Sequence, residues 1–323
     1  GDNSTPILPN IDISSSENGI VNLPDDVDSL FRNVASRYTH IVAPNGDLIQ
    51  FLIQDDFTVP QILHTRRVLE SYLTDIPDTD WGSDKSNIAI AMAASNAIMF
   101  LLNDEDEYEN PYLWDIFDSG VNGQDLLAIE VFPEGSPEYM SSAERDATYE
   151  EVLHFIHGFG IQLALPVMQN AIESAMLNAI NNDVYNPLSD LPEEDFDEEY
   201  LAMGLECYFG LWAHDPNGDG FCGDQEYAFI TREAMENGDP ALFEIINGFF
   251  GEAWEYTAVL PQGFNSNFFM INQDGLDYTY RSQYLKNIET SGDQSINFYG
   301  NDFSNQIGGT NGNNTFIGYG GDD

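Results

Sequence analysis

Two carboxylates and two imidazoles lie close together in one short segment of the sequence, at Glu150, Glu151, His154 and His157. On a helix, Glu150 and His154 are one turn apart on the same face and can bind one metal ion. Zinc accepts carboxylate as well as imidazole ligands and lowers the pKa of a bound water molecule. Glu151 could then take the proton of that water while its oxygen attacks a carbonyl carbon. The spacing therefore predicts a zinc site on a helix, with Glu151 as general base and His157 as a further ligand.

The same segment also fits a purely structural role, and the sequence leaves both interpretations open. Thr148 followed by Glu151 has the spacing of a helix-capping box, in which each side chain binds the other residue's backbone N–H. His154 and His157 could then be ordinary packed or surface histidines.

A second group of metal ligands is expected in residues 215–226, which read D-P-N-G-D-G-F-C-G-D-Q-E. This spacing matches a calcium loop, with Gly220 at the sharp turn. The predicted ligands are Asp215, Asn217, Asp219, the carbonyl of Phe221, and Glu226. With helices predicted over 198–214 and 225–236, the segment resembles an EF-hand. The alternative is an acidic surface turn that matches by chance.

The segment around Glu150 resembles the zincin metallopeptidases, whose motif H-E-x-x-H becomes E-E-x-x-H here. A later stretch, Met203 to Gly210, is similar to a conserved stretch of the thermolysin-like gluzincins. The resemblance implies a third zinc ligand on that later helix and peptide bonds as the substrate. The ligand of the family aligns with Met203, so we expect either Glu206 or Glu199, one turn away on either side, to replace it.

The end of the chain resembles the calcium-binding nonapeptide repeats of RTX proteins. Gly312-Asn313-Asn314 and Gly321-Asp322-Asp323 are spaced nine residues apart, with Asn314 where Asp is usual. The resemblance implies the start of a calcium-binding β-roll over residues 296–323. It also implies an extracellular protein exported by type I secretion. The alternative is a low-complexity Gly/Asn tail.

Composition excludes some classes of partner. The chain has 323 residues, with 56 acidic residues against nine Lys and Arg and a net charge of −47. Nucleic acid is excluded as a partner, because no basic surface is present to neutralise phosphates. No run of 18 apolar residues occurs, so no membrane span is expected. Two cysteines, Cys207 and Cys222, are too few for a disulfide scaffold, and their redox state is left open.

Several elements are predicted to position these residues. Pro44-Asn45-Gly46-Asp47 between two β-rich runs predicts a hairpin. Helices are predicted over 60–75 and 84–95, strands over 97–102 and 126–132, and mostly helices after position 148. The fold class is therefore α+β: a mostly helical, zincin-like domain with a small sheet or hairpin near its N-terminus. The predicted domains are a linker over 1–25, the α+β domain over 26–295 and the repeats over 296–323.

Two functions follow from these patterns. The first is a secreted, calcium-binding protein that hydrolyses peptides with zinc-activated water, using Glu150, His154 and one of His157, Glu206 or Glu199 as ligands. The second is a non-catalytic extracellular module of a large RTX protein, which binds calcium and has a surface, adhesion or sequestration role.

Overall fold

The computed structural model describes residues 5–142, 144–211, 222–223 and 225–323. The chain is mixed α and β and forms two compact units. The first unit contains the described residues of 1–73, 85–131 and 151–165, and the second contains those of 74–84, 132–150 and 166–323. These boundaries differ from the predicted ones, because each unit is assembled from segments that are far apart in the sequence.

The helices are α1 (Ser29–Arg32), α2 (Val59–Tyr72), α3 (Ser86–Ala94), α4 (Pro111–Asp118), α5 (Pro137–Ser141), α6 (Thr148–Ile156), α7 (Gln162–Ala164), α8 (Pro166–Asn181), α9 (Phe196–Phe209), α10 (Arg232–Gly238), α11 (Pro240–Phe250) and α12 (Thr279–Ser282). The strands are β1 (Val21–Asn22), β2 (Arg37–Val42), β3 (Leu48–Ile53), β4 (Ile98–Leu102), β5 (Gly123–Leu127), β6 (Trp254–Val259), β7 (Asn267–Phe269), β8 (Leu285–Glu289), β9 (Asn297–Tyr299), β10 (Gln306–Gly308) and β11 (Thr315–Ile317).

A five-stranded sheet of order β1-β2-β3-β4-β5 forms the core of the first unit. The predicted hairpin is confirmed, because β2 and β3 pair antiparallel. Gly46 in its turn has a φ of 91°, a left-handed conformation that glycine adopts without strain. The strands β3, β4 and β5 pair in parallel, so the unit needs helical crossovers. The predicted helices correspond to α2 and α3, and α2 begins with a capping box at Thr58 and Gln61.

The predicted linker over residues 1–25 is wrong for the part that the structure describes. Leu8 and Ile11 are buried in the core of the first unit, 2% and 8% exposed. The carbonyl of Leu8 accepts a hydrogen bond from the Gln50 side chain, and β1 pairs with β2. Sparse apolar residues in a polar segment were enough to anchor it, because each one fills a site on the sheet.

A buried helix and aromatic side chains build the core of the second unit. Every residue of α9 from Tyr200 to Phe209 is buried, as expected of a helix that is apolar on all sides. It packs against α8, α10 and α11. The aromatic run that includes Phe249, Phe250, Trp254 and Tyr256 is also buried, so these rings belong to the core.

The last six strands alternate between two sheets. One sheet has the order β10-β8-β6 and the other β11-β9-β7, and all of their pairs are parallel. The chain therefore winds as a coil that adds one strand to each sheet in every turn. The coil begins at Trp254, well before the repeats predicted over 296–323. The sequence pattern did not reveal its first strands, because they lack the glycine and asparagine residues of the later turns.

Among the described residues, no single helix is long and apolar enough to cross a membrane. One pair, Thr148–Ala164 with Pro166–Asn181, passes the same test jointly, but a break at Leu165 separates the two helices.

Candidate metal centre

The helix that carries the predicted site is α6, and its local structure is well specified. The side chain of Asp146 accepts a hydrogen bond of 3.0 Å from the Thr148 backbone N–H at the helix start. The expected capping box between Thr148 and Glu151 is therefore replaced by a cap from Asp146. Val152 and Phe155 are fully buried, which fixes the rotation of the helix about its axis.

Three of the predicted residues have ligand atoms that lie close to one another. Glu150 and His154 are one turn apart on α6 and are each 6% exposed. The unit boundary falls within this helix, so the helix itself sets their separation. Glu199 on α9 belongs to the same unit as Glu150, and the ligand atoms of this group lie within 4.8 Å of one another. Two carboxylates and one imidazole are a donor set that zinc accepts, so the residues present fit the metal.

Glu206, the other predicted third ligand, is held differently. Arg145 Nη1 donates to Glu206 Oε1 at 2.5 Å and also to Glu150 Oε2. Burial raises the pKa of the Glu206 carboxyl to about 8, although Arg145 opposes this shift. A metal ligand must be deprotonated, so at neutral pH Glu206 is a poorer ligand than a carboxylate that stays ionised. The geometry thus favours Glu199 over Glu206.

Glu151, the predicted general base, lies beside the ligands. Its Oε2 accepts a hydrogen bond of 2.6 Å from Gln124 Nε2 on β5 and lies 3.4 Å from His154 Nδ1. Its side chain is 22% exposed, so water can reach it. Contact with two neighbours orients the carboxylate, as a general base requires.

His157 is not part of the group that lies within 4.8 Å, and it marks a change in helix geometry. It is fully buried and begins a π-helical turn, His157–Ile161, between α6 and α7. Such turns occur frequently at functional sites. The turn packs against α3, where a methyl group at Gly160 would lie only 2.6 Å from Ile88 Cγ2. The turn thus fixes the position of α6 against the first unit's own α3.

Sequence reasoning missed two residues of this site. Arg145 lies five residues before Glu150 and is one of only nine Lys and Arg in an acidic chain, which was a usable signal. Gln124 carried none, because its role depends on β5 lying next to α6. The predicted strand over 126–132 begins at Gly123 instead, which brings Gln124 into the sheet.

Most of the predicted calcium ligands, Asp215, Asn217, Asp219 and Phe221, lie outside the described residues. Glu226 is described and buried, 8% exposed. Its backbone N–H donates to the Gly223 carbonyl at 2.6 Å. The turn that this hydrogen bond forms is closed by a bridge between Cys222 and Tyr227. The predicted exit helix over 225–236 is wrong, because α10 begins only at Arg232. In this respect the segment departs from the EF-hand arrangement.

The cysteines are buried, and they do not form a disulfide bond with each other. The Cys207 thiol donates to the Thr231 carbonyl at 3.4 Å, and burial raises its pKa. Because the thiolate is the reactive form, this environment argues against a nucleophilic role for Cys207.

The raised pKa of Glu206 predicts a specific dependence of stability on pH. Folding raises this pKa from 4.5 to about 8, so the folded state holds the proton more tightly. Its stabilising contribution is fully present below pH 4.5 and is lost as the pH rises through about 8. We expect the free energy of unfolding to fall less between pH 5 and pH 9 in Glu206→Gln than in the unmodified chain. Urea denaturation in EDTA at both pH values measures this, and equal falls would contradict it.

Comparison of the chain with protein-family models, with curated proteins and with solved structures finds no match.

Proposed function

We propose that the chain is a metal-dependent hydrolase that cleaves peptide bonds, with zinc held by Glu150, His154 and Glu199. The observation that supports this most directly is the grouping of these three ligand atoms within 4.8 Å. Bound zinc would supply a water molecule of lowered pKa and would polarise the scissile carbonyl.

The chain's own residues would do the remaining work. Glu151, oriented by Gln124, would take the proton from the attacking water and pass it to the leaving amine. Arg145 would hold the Glu150 carboxylate in its ligand position and offset the repulsion between Glu150 and Glu206. His157 would support α6 from the π-helical turn without touching the metal.

The edge of the first unit's sheet suggests how an extended peptide would be aligned. The hairpin strands β2 and β3 each have neighbours on both sides, so a peptide cannot be added to them. Within the part of the chain that the structure describes, β5 is an edge strand paired with β4, and it carries Gln124, which donates to Glu151. We therefore place strand addition at β5, where backbone groups would align the peptide next to the base.

The test of this function is the metal content of the purified protein after exchange into zinc and extensive dialysis. Mass spectrometry should find about one zinc per chain, lost in His154→Ala. His40→Ala, which removes an imidazole from β2, is the matched control and should keep the metal. A chain without zinc after this treatment would overturn the proposed centre.

A second function rests on a separate observation, the alternating parallel strands of the coil. We propose that this coil is a β-roll of the RTX type, in which aspartate-bearing turns bind calcium between successive coils. The protein would then be extracellular, exported by type I secretion, and calcium would offset part of its charge of −47. If the zinc centre fails its test, a non-catalytic calcium-binding adhesion module remains.

A further inference from the structure

Turns of the coil repeat at nine-residue intervals, and equivalent positions make equivalent contacts. The equivalent positions, nine residues apart, are Ile296, Asn305, Asn314 and Asp323. The side chain of Asn314 accepts a hydrogen bond from the Ile296 backbone N–H at 3.3 Å. Asp323 accepts one from the Asn305 backbone N–H at 2.9 Å. The side-chain oxygen at this position therefore joins one coil to the preceding one.

The remaining atoms of the Asn314 amide are also hydrogen-bonded. Its Nδ2 donates to the carbonyls of Thr310, at 2.9 Å, and Gly312, at 3.1 Å. Its Oδ1 also lies 3.0 Å from the Thr310 hydroxyl, which contacts the Gln294 carbonyl as well. An amide can donate two hydrogen bonds, so both donors of this side chain are used within the protein.

Asn305 is closed in a similar way on the other side of the coil. It is 7% exposed, and its Nδ2 donates to Asn301 Oδ1 at 2.9 Å and to the Lys286 carbonyl at 3.3 Å. Asn301 in turn donates to the Leu285 carbonyl at 2.6 Å. Asn301 and Asn305 thus direct N–H groups at oxygen atoms of the coil, including carbonyls of the preceding coil.

Calcium takes oxygen ligands and cannot share a position with an N–H donor. At Asn305 and Asn314, the amide nitrogen donates to the oxygens that face it, so these oxygens are engaged by N–H groups. Asp323 has no donor to offer, since an ionised carboxylate only accepts hydrogen bonds. The donor set at the two asparagine turns does not fit calcium, whereas the aspartate turn supplies an anionic oxygen.

We propose that the turns at Asn305 and Asn314 are closed by amide hydrogen bonds in place of calcium, and that calcium in this coil binds at Asp323. This inference rests on the proposed calcium-binding coil. The turns at Asn305 and Asn314 would form on the folded second unit without metal.

Substitution of Asn314 by aspartate tests the proposal. The new carboxylate would face the carbonyls of Thr310 and Gly312 without a donor, unless calcium joined them. Amide hydrogen exchange at Ile296 and Thr315 reports on this turn, because both N–H groups are hydrogen-bonded across it. In the unmodified chain, we expect equal protection in EDTA and in calcium chloride. In Asn314→Asp, protection should fall about tenfold in EDTA and return with calcium.

Asn313→Asp adds the same charge at the exposed neighbouring position and should behave like the unmodified chain. Calorimetry should find one more calcium ion per chain in Asn314→Asp than in either of the other two. Loss of protection in EDTA in the unmodified chain would overturn the amide closure and leave the calcium-binding coil intact. Absence of calcium binding in all three proteins would overturn the coil's proposed function, and the inference with it.

Discussion

Replacing Glu151 by glutamine is expected to reduce peptide hydrolysis about 10²- to 10⁴-fold while leaving the zinc in place. The amide keeps the size of the side chain and can still contact Gln124 Nε2 through its oxygen. It cannot take a proton from water, so the loss should appear in kcat with KM nearly unchanged. Initial rates on fluorogenic peptides, together with zinc content, measure both parts of the prediction.

The matched control is Glu193→Gln, which removes one negative charge from an exposed position in the second unit. It should retain full activity and full metal content. Activity that survives Glu151→Gln would exclude this residue as the base. Loss of zinc in that variant would instead make Glu151 a ligand and would require a different base.

Replacing Arg145 by methionine is expected to destabilise the protein by about 3–5 kcal/mol at pH 9. The guanidinium contacts Glu150 and Glu206, whose side chains are 8% and 0% exposed. Methionine fills similar space but removes the guanidinium from two buried carboxylates. The pH matters because Glu206 is ionised above about 8, whereas at pH 6 its proton removes much of the repulsion. The loss should therefore be smaller at pH 6.

Urea denaturation in EDTA measures this loss for the single variant and for Arg145→Met combined with Glu206→Gln. The double variant should recover part of the stability at pH 9, because the charge of the Glu206 carboxylate is removed and only that of Glu150 is left. A loss below about 1 kcal/mol at pH 9 would place Arg145 among weak surface ion pairs. The same variant should bind zinc more weakly, because the Glu150 carboxylate is no longer held in place.

Local patterns predicted the elements that depend on neighbours in sequence. The hairpin around Gly46, the helices α2 and α3, and the helical spacing of Glu150 and His154 all depend on contacts within a few residues. Local patterns gave wrong predictions at positions whose structure depends on packing against distant parts of the chain. Leu8 lies in a polar segment that reads as a linker, yet the sheet buries it. The helix predicted over 225–236 begins only at Arg232, because Tyr227 forms bridges with Tyr185 and Cys222.

The sequence by itself determined that Glu150 and His154 share one helical face, since an α-helix places residues four apart on the same side. It also placed Glu199 and Glu206 one turn on either side of Met203, as equal candidates for the third ligand. Only the tertiary structure decided between them. Glu206 accepts a hydrogen bond from Arg145, and burial raises its pKa. Glu199 instead places a ligand atom within 4.8 Å of those of Glu150 and His154. Helical periodicity is a property of the backbone, but charge compensation and burial depend on segments that only folding brings together.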